Sequence, residues 1–461
     1  MTPHAAHTLR LGRAARSPRA SARGFTLVEL LVSLVAGLVI GLAVVTLSKS
    51  VAQQFHEESR ANAAQASARL SSLRLRADIS RAGLMGTGNI VRDPKAAHLP
   101  GGNGAKGIPG LQQLSGVRVF TGGSLIPPSQ ANTLQLSVLL PSINAGCAAQ
   151  TPALTPDSFA VWGNMTSGDE YFGTVDDTAP SACGGKRVVL NPTDPSLLRI
   201  LRDPNGVAVP AAQAQAALSQ VFAPIANQSF FARVTDNKGY YHFATTCAVP
   251  VLYNGVTATI ELAGVNATLT SAQTNEKGGV GGSEEIAISP LHGVYWFIGR
   301  RVNVNLENAG STDQSAQKYD LMRAWVNSGG VALVNEAEVV SEYAVDLKVG
   351  FTVDDPSQPD TSVNKSLTFP FSATAVAKAP WANRDLTSAV PIVPNRGSQG
   401  PHRIRSLRYR LTTRAAQTDR DDPFVVAGSD YMYRYRINNK YARVRVMTGE
   451  VALVNQARMS Y

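Results

Sequence analysis

The longest apolar run in the chain is residues 25–47, FTLVELLVSLVAGLVIGLAVVTL, in which Glu29 is the only charged residue. As a helix this run would span about 35 Å at 1.5 Å per residue, enough to cross the hydrocarbon core of a bilayer. Residues 1–24 before it carry five arginines and no acid. Because basic residues stay on the cytoplasmic side, we expect a cytoplasmic N-terminus and an exported chain after Leu47.

An ordinary signal peptide explains this run poorly. A secretory signal has an apolar core of 7–15 residues followed by a small-x-small cleavage site, whereas this run is longer and is followed by Ser48-Lys49-Ser50. An unprocessed membrane anchor is the second alternative. It leaves Glu29 unexplained, because a carboxylate in a membrane-length segment is costly.

The helical pattern continues beyond the apolar run. Residues 48–82 contain no Pro and no Gly and are rich in good helix formers. Apolar residues recur at a spacing of three to four, which is typical of an amphipathic helix. Gly83 follows in the position of a helix stop. We therefore predict one helix from Phe25 to Ala82, whose second half, residues 48–83, packs on a globular head. The apolar positions that predict this face are Ala66, Leu70, Leu73 and Ala77.

After Gly83 the pattern changes to alternation and loops, which predicts an α+β head on antiparallel sheet over residues 84–461, with insertions around 100–285. Predicted strands are Thr133–Leu140, Arg187–Leu190, Val256–Leu262 and Gly293–Ile298, and Gln213–Val221 is a predicted short helix. Predicted loops are Gly101–Gly116, Lys277–Ser283, Pro356–Pro370 and Asn383–Pro401.

The last sixty residues alternate apolar residues with arginines along three segments, 407–411, 431–437 and 442–446. This pattern predicts three strands of an antiparallel sheet with one solvated face. Residues 403–445 hold eleven basic residues and four acids. The sequence favours tyrosines in the core beneath a solvated basic face, and a docking face for an acidic partner subunit is the main alternative. The arginines of this predicted face are Arg408, Arg410, Arg434, Arg436, Arg443 and Arg445.

Composition supports a folded exported domain, since 44% of the residues are hydrophobic. The net charge is +10, of which the five leader arginines supply half. Three cysteines, Cys147, Cys183 and Cys247, lie in the exported part, where disulfides persist. An odd number leaves one of them unpaired. The sequence weakly favours Cys147 with Cys183, because that pair closes the shortest loop.

No catalytic motif emerges from the sequence. There is no GxSxG, HExxH or Walker loop, and the seven histidines are scattered. The acid clusters at Asp354-Asp355 and Asp419–Asp422 lack EF-hand spacing and are best interpreted as solvated turns. We therefore expect no enzyme activity, no metal and no cofactor. Nucleic-acid binding is disfavoured, because alternation puts the tyrosines and the arginines of the last strands on opposite faces.

The junction Gly24-Phe25-Thr26-Leu27-Val28-Glu29 and the apolar helix after it resemble the class III signal of type IV pilins and type II secretion pseudopilins. The resemblance implies that a prepilin peptidase cuts after Gly24 and that the new N-terminus, Phe25, is methylated. It also implies that Glu29, the fifth mature residue, acts in assembly. Pairing Glu29 with the amino group of a neighbouring subunit would offset the cost of burying both charges.

A second, more distributed resemblance is to PilW-like minor pilins and the related J-type pseudopilins. It rests on three segments. The first is the end of the long helix, where Asp78-Ile79 is followed by Ala82-Gly83. The others are the aromatic segment that begins at Gly293, followed by Leu321 to Arg323, and the alternating residues Leu347, Val349 and Phe351. Residues 100–285 resemble nothing known to us. The helix positions Gly37 and Gly41 form a small-xxx-small pair that would let another helix approach closely.

Together the resemblances imply a minor pilin that primes or caps a type IV pilus. The expected partners are other minor and major pilins, the prepilin peptidase and the inner membrane, with a tip adhesin as a further candidate. The expected location is the inner membrane with a periplasmic head, and then the extracellular pilus. Two alternatives stay open: a tip-displayed, adhesin-like binding module using residues 100–285, and a type II secretion pseudopilin.

Overall fold

The computed structural model describes residues 26–88, 90, 93, 95–96, 110, 114–121, 156–176, 178–263, 285–299, 319–355, 366–382, 399–415, 434–437 and 440–457. It divides into two compact units, residues 1–59 and 60–461. The predicted leader, residues 1–24, the cleavage junction Gly24-Phe25 and the predicted strand Thr133–Leu140 lie outside the described residues. The helices are α1 (Leu27–Ser80), α2 (Pro195–Leu201), α3 (Ala211–Phe222), α4 (Ala375–Ala382) and α5 (Val454–Ala457).

Among the described residues of the second unit, more lie in strands than in helices, which confirms an α+β fold of one long apolar helix followed by a large antiparallel sheet domain. Every ladder pairing between the described strands is antiparallel. The strands are β1 (Val117–Phe120), β2 (Ser158–Gly163), β3 (Tyr171–Asp176), β4 (Gly184–Leu190), β5 (Phe231–Thr235), β6 (Tyr241–Tyr253), β7 (Ala258–Ala263), β8 (Glu285–Gly299), β9 (Asp320–Val326), β10 (Glu338–Ser341), β11 (Ala344–Asp354), β12 (Ser366–Phe369), β13 (Ile404–Arg414), β14 (Arg434–Ile437) and β15 (Lys440–Ala452).

The predicted long helix is confirmed as α1, a single helix of 54 residues. It ends where Gly83 adopts a positive φ of +75°, and the N–H of Gly83 donates to the carbonyl of Trp162 at 2.8 Å. A side chain at this position would meet the backbone of Gln456 at 3.1 Å. Glycine is therefore required here both by the left-handed conformation and by the close approach of α5.

The face of α1 that packs on the head differs from the predicted one. The apolar positions Ala66, Leu70, Leu73 and Ala77 are exposed, with Leu70 at 66% and Leu73 at 65% of their accessible surface. The prediction that this stripe faces the head is wrong, because periodicity identifies a face but not its partner. The buried face of the helix end is formed by Ala68, Ser71, Leu75, Asp78, Ile79 and Ala82.

Strand β8 is the centre of the larger sheet. Its first half, residues 285–291, pairs with both β3 and β5. These two strands are joined through β4, β7 and β6, so six strands close into a ring. Its second half, from His292, pairs with β2 and β9, and β1 and β10 extend this half as an open sheet. Closure of the ring removes the exposed edges that an insertion of several strands would otherwise present.

The closed ring encloses its own hydrophobic core, which includes side chains of α2 and α3 such as Leu197, Leu218 and Phe222. The ring strands lie between residues 171 and 291, so they fall in the later part of the region 100–285 that resembled nothing known. The predicted helix at 213–221 is confirmed as part of α3, and the strands predicted at 187–190 and 256–262 fall on β4 and β7.

The open sheet is buried on both faces. Val294, Trp296 and Ile298 contribute to one core cluster, and Tyr295 and Phe297 contribute to another. This explains why the predicted strand 293–298 reads as a continuous apolar run rather than as an alternation.

The second sheet has the order β12-β11-β13-β15-β14. It confirms the strands predicted at 407–411 and 442–446 and residues 434–437 of the middle one, whose residues 431–433 lie outside the described part of the chain. It also contains β12 inside the predicted loop 356–370, which is a correction. The core cluster that contains Val294, Trp296 and Ile298 also joins the second sheet to the end of α1. Its members there are Leu75, Ile79, Leu347, Tyr409 and Leu411.

Candidate functional site

The first turn of α1 contains a reciprocal set of hydrogen bonds between Thr26 and Glu29. The backbone N–H and the hydroxyl of Thr26 both donate to Oε2 of Glu29, each at 3.0 Å. The backbone N–H of Glu29 donates to Oγ1 of Thr26 at 3.3 Å. Thr26 precedes the first helical residue and Glu29 is the third, so this arrangement is a capping box.

The capping box gives Glu29 a role within its own chain. It pairs backbone donors that the first turn of a helix otherwise leaves without partners, and it places a carboxylate at the positive end of the helix dipole. Both donated bonds reach Oε2. Within the described residues, Oε1 accepts no hydrogen bond. The Thr-x-x-Glu spacing is the sequence signal that could have revealed this cap.

Gly37 and Gly41 lie on the apolar part of α1, where the side chains of residues 27–47 are exposed. A Cβ added at either glycine would meet nothing within 4 Å. Leu27–His56 is long and apolar enough to cross a membrane. The two glycines therefore leave open space on the surface of a helix whose apolar side chains are exposed.

The exposed stripe Ala66, Leu70, Leu73 and Ala77 carries apolar surface along the outer side of α1. It is bordered by exposed arginines, including Arg69 and Arg76. Each of the two leucines keeps about two thirds of its surface accessible. Large side chains so exposed on one helix face are typical of an interaction surface.

The residues that carried the PilW-like resemblance meet at the end of α1. Asp78 is 5% exposed, and its Oδ2 accepts hydrogen bonds from Nε of Arg323 at 2.7 Å and from Nε1 of Trp296 at 3.2 Å. The guanidinium of Arg323 also lies 4.4 Å from the ring centroid of Trp325. Three segments far apart in sequence are thus joined by one buried carboxylate.

The predicted basic face is divided between two sides of the second sheet. Directly paired residues of an antiparallel ladder share a face. Arg408 pairs with Glu450 and Arg410 with Thr448, whereas Arg445 pairs with Thr413. Strand alternation therefore puts positions 443 and 445 on the face opposite Arg408 and Arg410, and position 434 pairs directly with 443. Position 436, two residues further along β14, shares the face of 434.

Two of these arginines also have acidic partners. Nε of Arg408 lies 3.1 Å from a carboxylate oxygen of Glu450, and Arg410 lies 3.8 Å from the buried Asp346. Burial raises the pKa of Asp346 to about 6, against the opposing effects of Lys348 and Arg410. A single solvated face of six arginines is therefore a wrong prediction, because the strand register could not be read from the sequence.

The disulfide joins Cys183 and Cys247, with a Cα–Cα distance of 5.9 Å. It links the turn before β4 to strand β6. The predicted Cys147–Cys183 bridge is wrong, because loop length favours nearby cysteines whereas pairing in the closed ring brings distant ones together. Cys147 lies outside the described residues.

No group of three His, Cys, Asp or Glu side chains suited to a metal ion occurs in the part of the chain that the structure describes. His242 contacts Asp236 at 3.1 Å, and both are buried. His292 is fully buried against Phe230 and Trp325, and burial lowers its pKa to about 3. Both histidines thus belong to the packed interior.

In comparison with known proteins, residues 19–45 match the family model of the prokaryotic N-terminal methylation motif. No curated protein and no solved structure matches the chain. The matched residues include Gly24, Phe25 and the capped Glu29, and they run into the apolar half of α1. The chain therefore carries a class III prepilin signal on a membrane-anchoring helix, as a type IV pilin-like or pseudopilin-like subunit does.

Proposed function

We propose that this chain is a minor pilin of a type IV pilus, a non-enzymatic subunit that primes or caps pilus assembly together with other minor pilins. The observation that carries the proposal is the methylation motif at the start of α1. Gly24 is the proposed cleavage site and Phe25 the methylated N-terminus. Prepilin peptidase, the inner membrane and neighbouring pilins are the partners.

The outer side of α1 supports a role in a helical assembly. The side chains of residues 27–47 are exposed, and those of the stripe Ala66, Leu70, Leu73 and Ala77 are exposed as well. A membrane covers the first part before assembly, and helices of neighbouring subunits would cover both parts in a filament. Burial of the exposed leucines against a neighbouring helix would stabilise the filament by roughly 25 cal/mol per Å² of apolar surface removed from water.

Processing is the first test. The intact mass of the subunit from cells with prepilin peptidase should correspond to residues 25–461 plus one methyl group. The mass from cells without the peptidase should correspond to the full chain. A chain that starts at Met1 in both strains would refute the proposal.

Assembly is the second test. Changing Glu29 to Ala should leave cleavage intact and lower the amount of subunit in sheared pili, because the neighbouring amino group loses its partner. Changing Leu73 to Gln should lower incorporation while the head keeps its stability, since this side chain is exposed. Phe172, 43% exposed on β3, offers a control as Phe172→Gln, which should assemble normally.

A tip-displayed binding module is a second candidate, favoured by the closed ring with its own core and disulfide. Val207 and Val256 are exposed at 63% and 77% on loops of this ring. If the ring binds a surface, changing both valines to Asp should abolish adhesion while pilus number stays normal. If the chain is instead a type II secretion pseudopilin, deletion of its gene should impair secretion and leave pili unaffected.

A further inference from the structure

We infer that the side chains of Lys378 and Asp157 are a site of covalent modification, at which the amine of Lys378 and the carboxyl of Asp157 condense into an intramolecular amide bond. The bond joins α4 to the residue that precedes β2. It is independent of the signal at the N-terminus and of the disulfide between Cys183 and Cys247.

Helix α4 is inverted relative to an ordinary surface helix. Its only charged residue, Lys378, is 2% exposed, whereas Val376 is 84% exposed. A surface helix normally buries its apolar residues and exposes its charged ones. Burial of an amine is costly unless its charge is paired or removed. The other exposed residues of this helix are Ala375, Ala377 and Ala379.

Lys378 and Asp157 meet at one edge of β11. Nζ of Lys378 donates to the carbonyl of Val349 at 2.7 Å and to the carbonyl of Phe371 at 3.5 Å. The backbone N–H of Val349 donates to Oδ2 of Asp157 at 2.9 Å, and the N–H of Asp157 donates to the carbonyl of Leu347 at 2.7 Å. One residue of β11 thus holds both side chains, with Nζ 3.9 Å from Oδ2.

An ion pair alone compensates these two groups incompletely. Asp157 is 4% exposed, so both partners are buried. Their separation exceeds the roughly 2.7–2.9 Å of a charge-assisted hydrogen bond. Taking two charges out of water often costs more than their attraction returns. An amide is neutral, so condensation removes both buried charges and keeps one N–H as a donor.

The surroundings favour a neutral amine and supply a second buried acid. Burial lowers the pKa of Lys378, against the opposing charge of Asp157 and with a further contribution from Lys348. The neutral amine is the nucleophilic form. Burial raises the pKa of Asp346 to about 6, and the charge of Asp157 adds to this. Oδ1 of Asp346 has no hydrogen-bond partner among the described residues.

The condensation balances without a co-reactant. The neutral amine of Lys378 attacks Cγ of protonated Asp157, a C–N bond forms, a C–O bond breaks, and the hydroxyl leaves as water with one proton of the amine. Asp346 is placed to carry that proton from nitrogen to the departing hydroxyl. Fixed neighbours raise the effective concentration of the reacting groups, which is what a condensation in water otherwise lacks.

The bond has a mechanical consequence. It closes a covalent loop that contains every described strand from β2 to β12, including the closed ring. Tension along the backbone between β1 and β13 would pass through the bond instead of through these strands. A head pulled from its two ends would therefore keep the ring folded.

Peptide mapping of the full chain tests the inference. The protein is purified in detergent, denatured, reduced, alkylated and digested with trypsin. Because an amide blocks cleavage after Lys378, we expect a branched product of residues 119–186 and 366–384, lighter than the two peptides together by one water. The intact subunit should be lighter by the same water. Lys348, on β11 beside the site, is the matched control and should be cleaved normally.

A free peptide of residues 366–378 that ends at Lys378, with no branched product, would overturn the inference. A buried ion pair without a bond gives that result, so the mass separates the two cases. Asp157→Ala and Lys378→Arg should each abolish the branched product and restore the missing water. Mapping is done on denatured protein, so a loss of stability in either variant does not obscure this result. A branched product that persists in either variant would also overturn the inference.

The role of Asp346 has its own test. Asp346→Asn removes the proton carrier and should leave a larger fraction of residues 366–378 unlinked than in the unchanged protein, whereas Asp346→Glu keeps an acid and should restore linkage. Complete linkage in Asp346→Asn would overturn the role assigned to Asp346.

Discussion

The buried carboxylate of Asp78 gives the sharpest stability prediction. In the Asp78→Ala variant the guanidinium of Arg323, which is 3% exposed, loses its closest acceptor, and Nε1 of Trp296 loses its own. Removing one partner of a buried ion pair costs about 3–5 kcal/mol, because the other charge stays buried. The exposed Glu338, 3.8 Å from Arg323, is too distant to replace the lost bond.

The expected change is measurable as a shift in the unfolding midpoint. The entropy of unfolding is about 2.1 cal/mol/K per residue, so a unit of roughly 400 residues should lose about 4–6 °C. Intrinsic tryptophan fluorescence is a suitable probe, because Trp296 and Trp325 both contact the affected groups. The measurement uses the full chain in detergent and a urea titration for the free energy of unfolding.

Two controls identify the mechanism. Arg74 lies on α1, as Asp78 does, and forms an exposed ion pair with Glu338 at 3.8 Å. Arg74→Gln should therefore change the free energy of unfolding by only about 0–1 kcal/mol. The double variant Asp78→Leu with Arg323→Met replaces both charges by apolar groups and should recover much of the loss. A free energy of unfolding for Asp78→Ala within about 1 kcal/mol of the unchanged protein would refute the reasoning.

Two further predictions concern the sheets of the second unit. Non-reducing peptide mapping should recover Cys183 linked to Cys247 with Cys147 open to alkylation, and Cys247→Ser should lower stability by about 2–4 kcal/mol; a Cys147–Cys183 peptide would contradict this pairing. Because burial holds the pKa of His292 near 3 rather than 6.5, the unfolded chain binds more protons between these values. Stability should therefore decrease as pH falls from about 6.5 toward 3, and His292→Phe should flatten that decrease; an unchanged slope in the variant would exclude His292 as its source.

Local patterns determined the elements that the sequence predicted correctly. The apolar run 25–47 and the glycine-free segment after it specify one helix, because length and propensity act within the helix itself. The run of apolar residues in β8 and the alternation in β13 and β15 specify strands in the same way. The Gly83 stop follows from a backbone conformation that glycine adopts at little cost.

Only the tertiary structure decided which of these elements meet. The stripe Ala66 to Ala77 and the buried face through Leu75 and Ile79 have similar spacing, and contact with the two sheets alone selects the second. The ring closes because β3 and β5, distant in sequence, both pair with β8. Such pairings depend on loop closure and on register, and neither is encoded in a local window.

The same distinction applies to the candidate functional residues. The signal at Gly24, Phe25 and Glu29 could be predicted from the sequence alone, because it is a contiguous segment. The disulfide partner of Cys183 and the division of the arginines between two sheet faces were decided by strand pairing across the head. A shift of one residue in register moves every side chain of a strand to the other face, so no linear pattern could fix them.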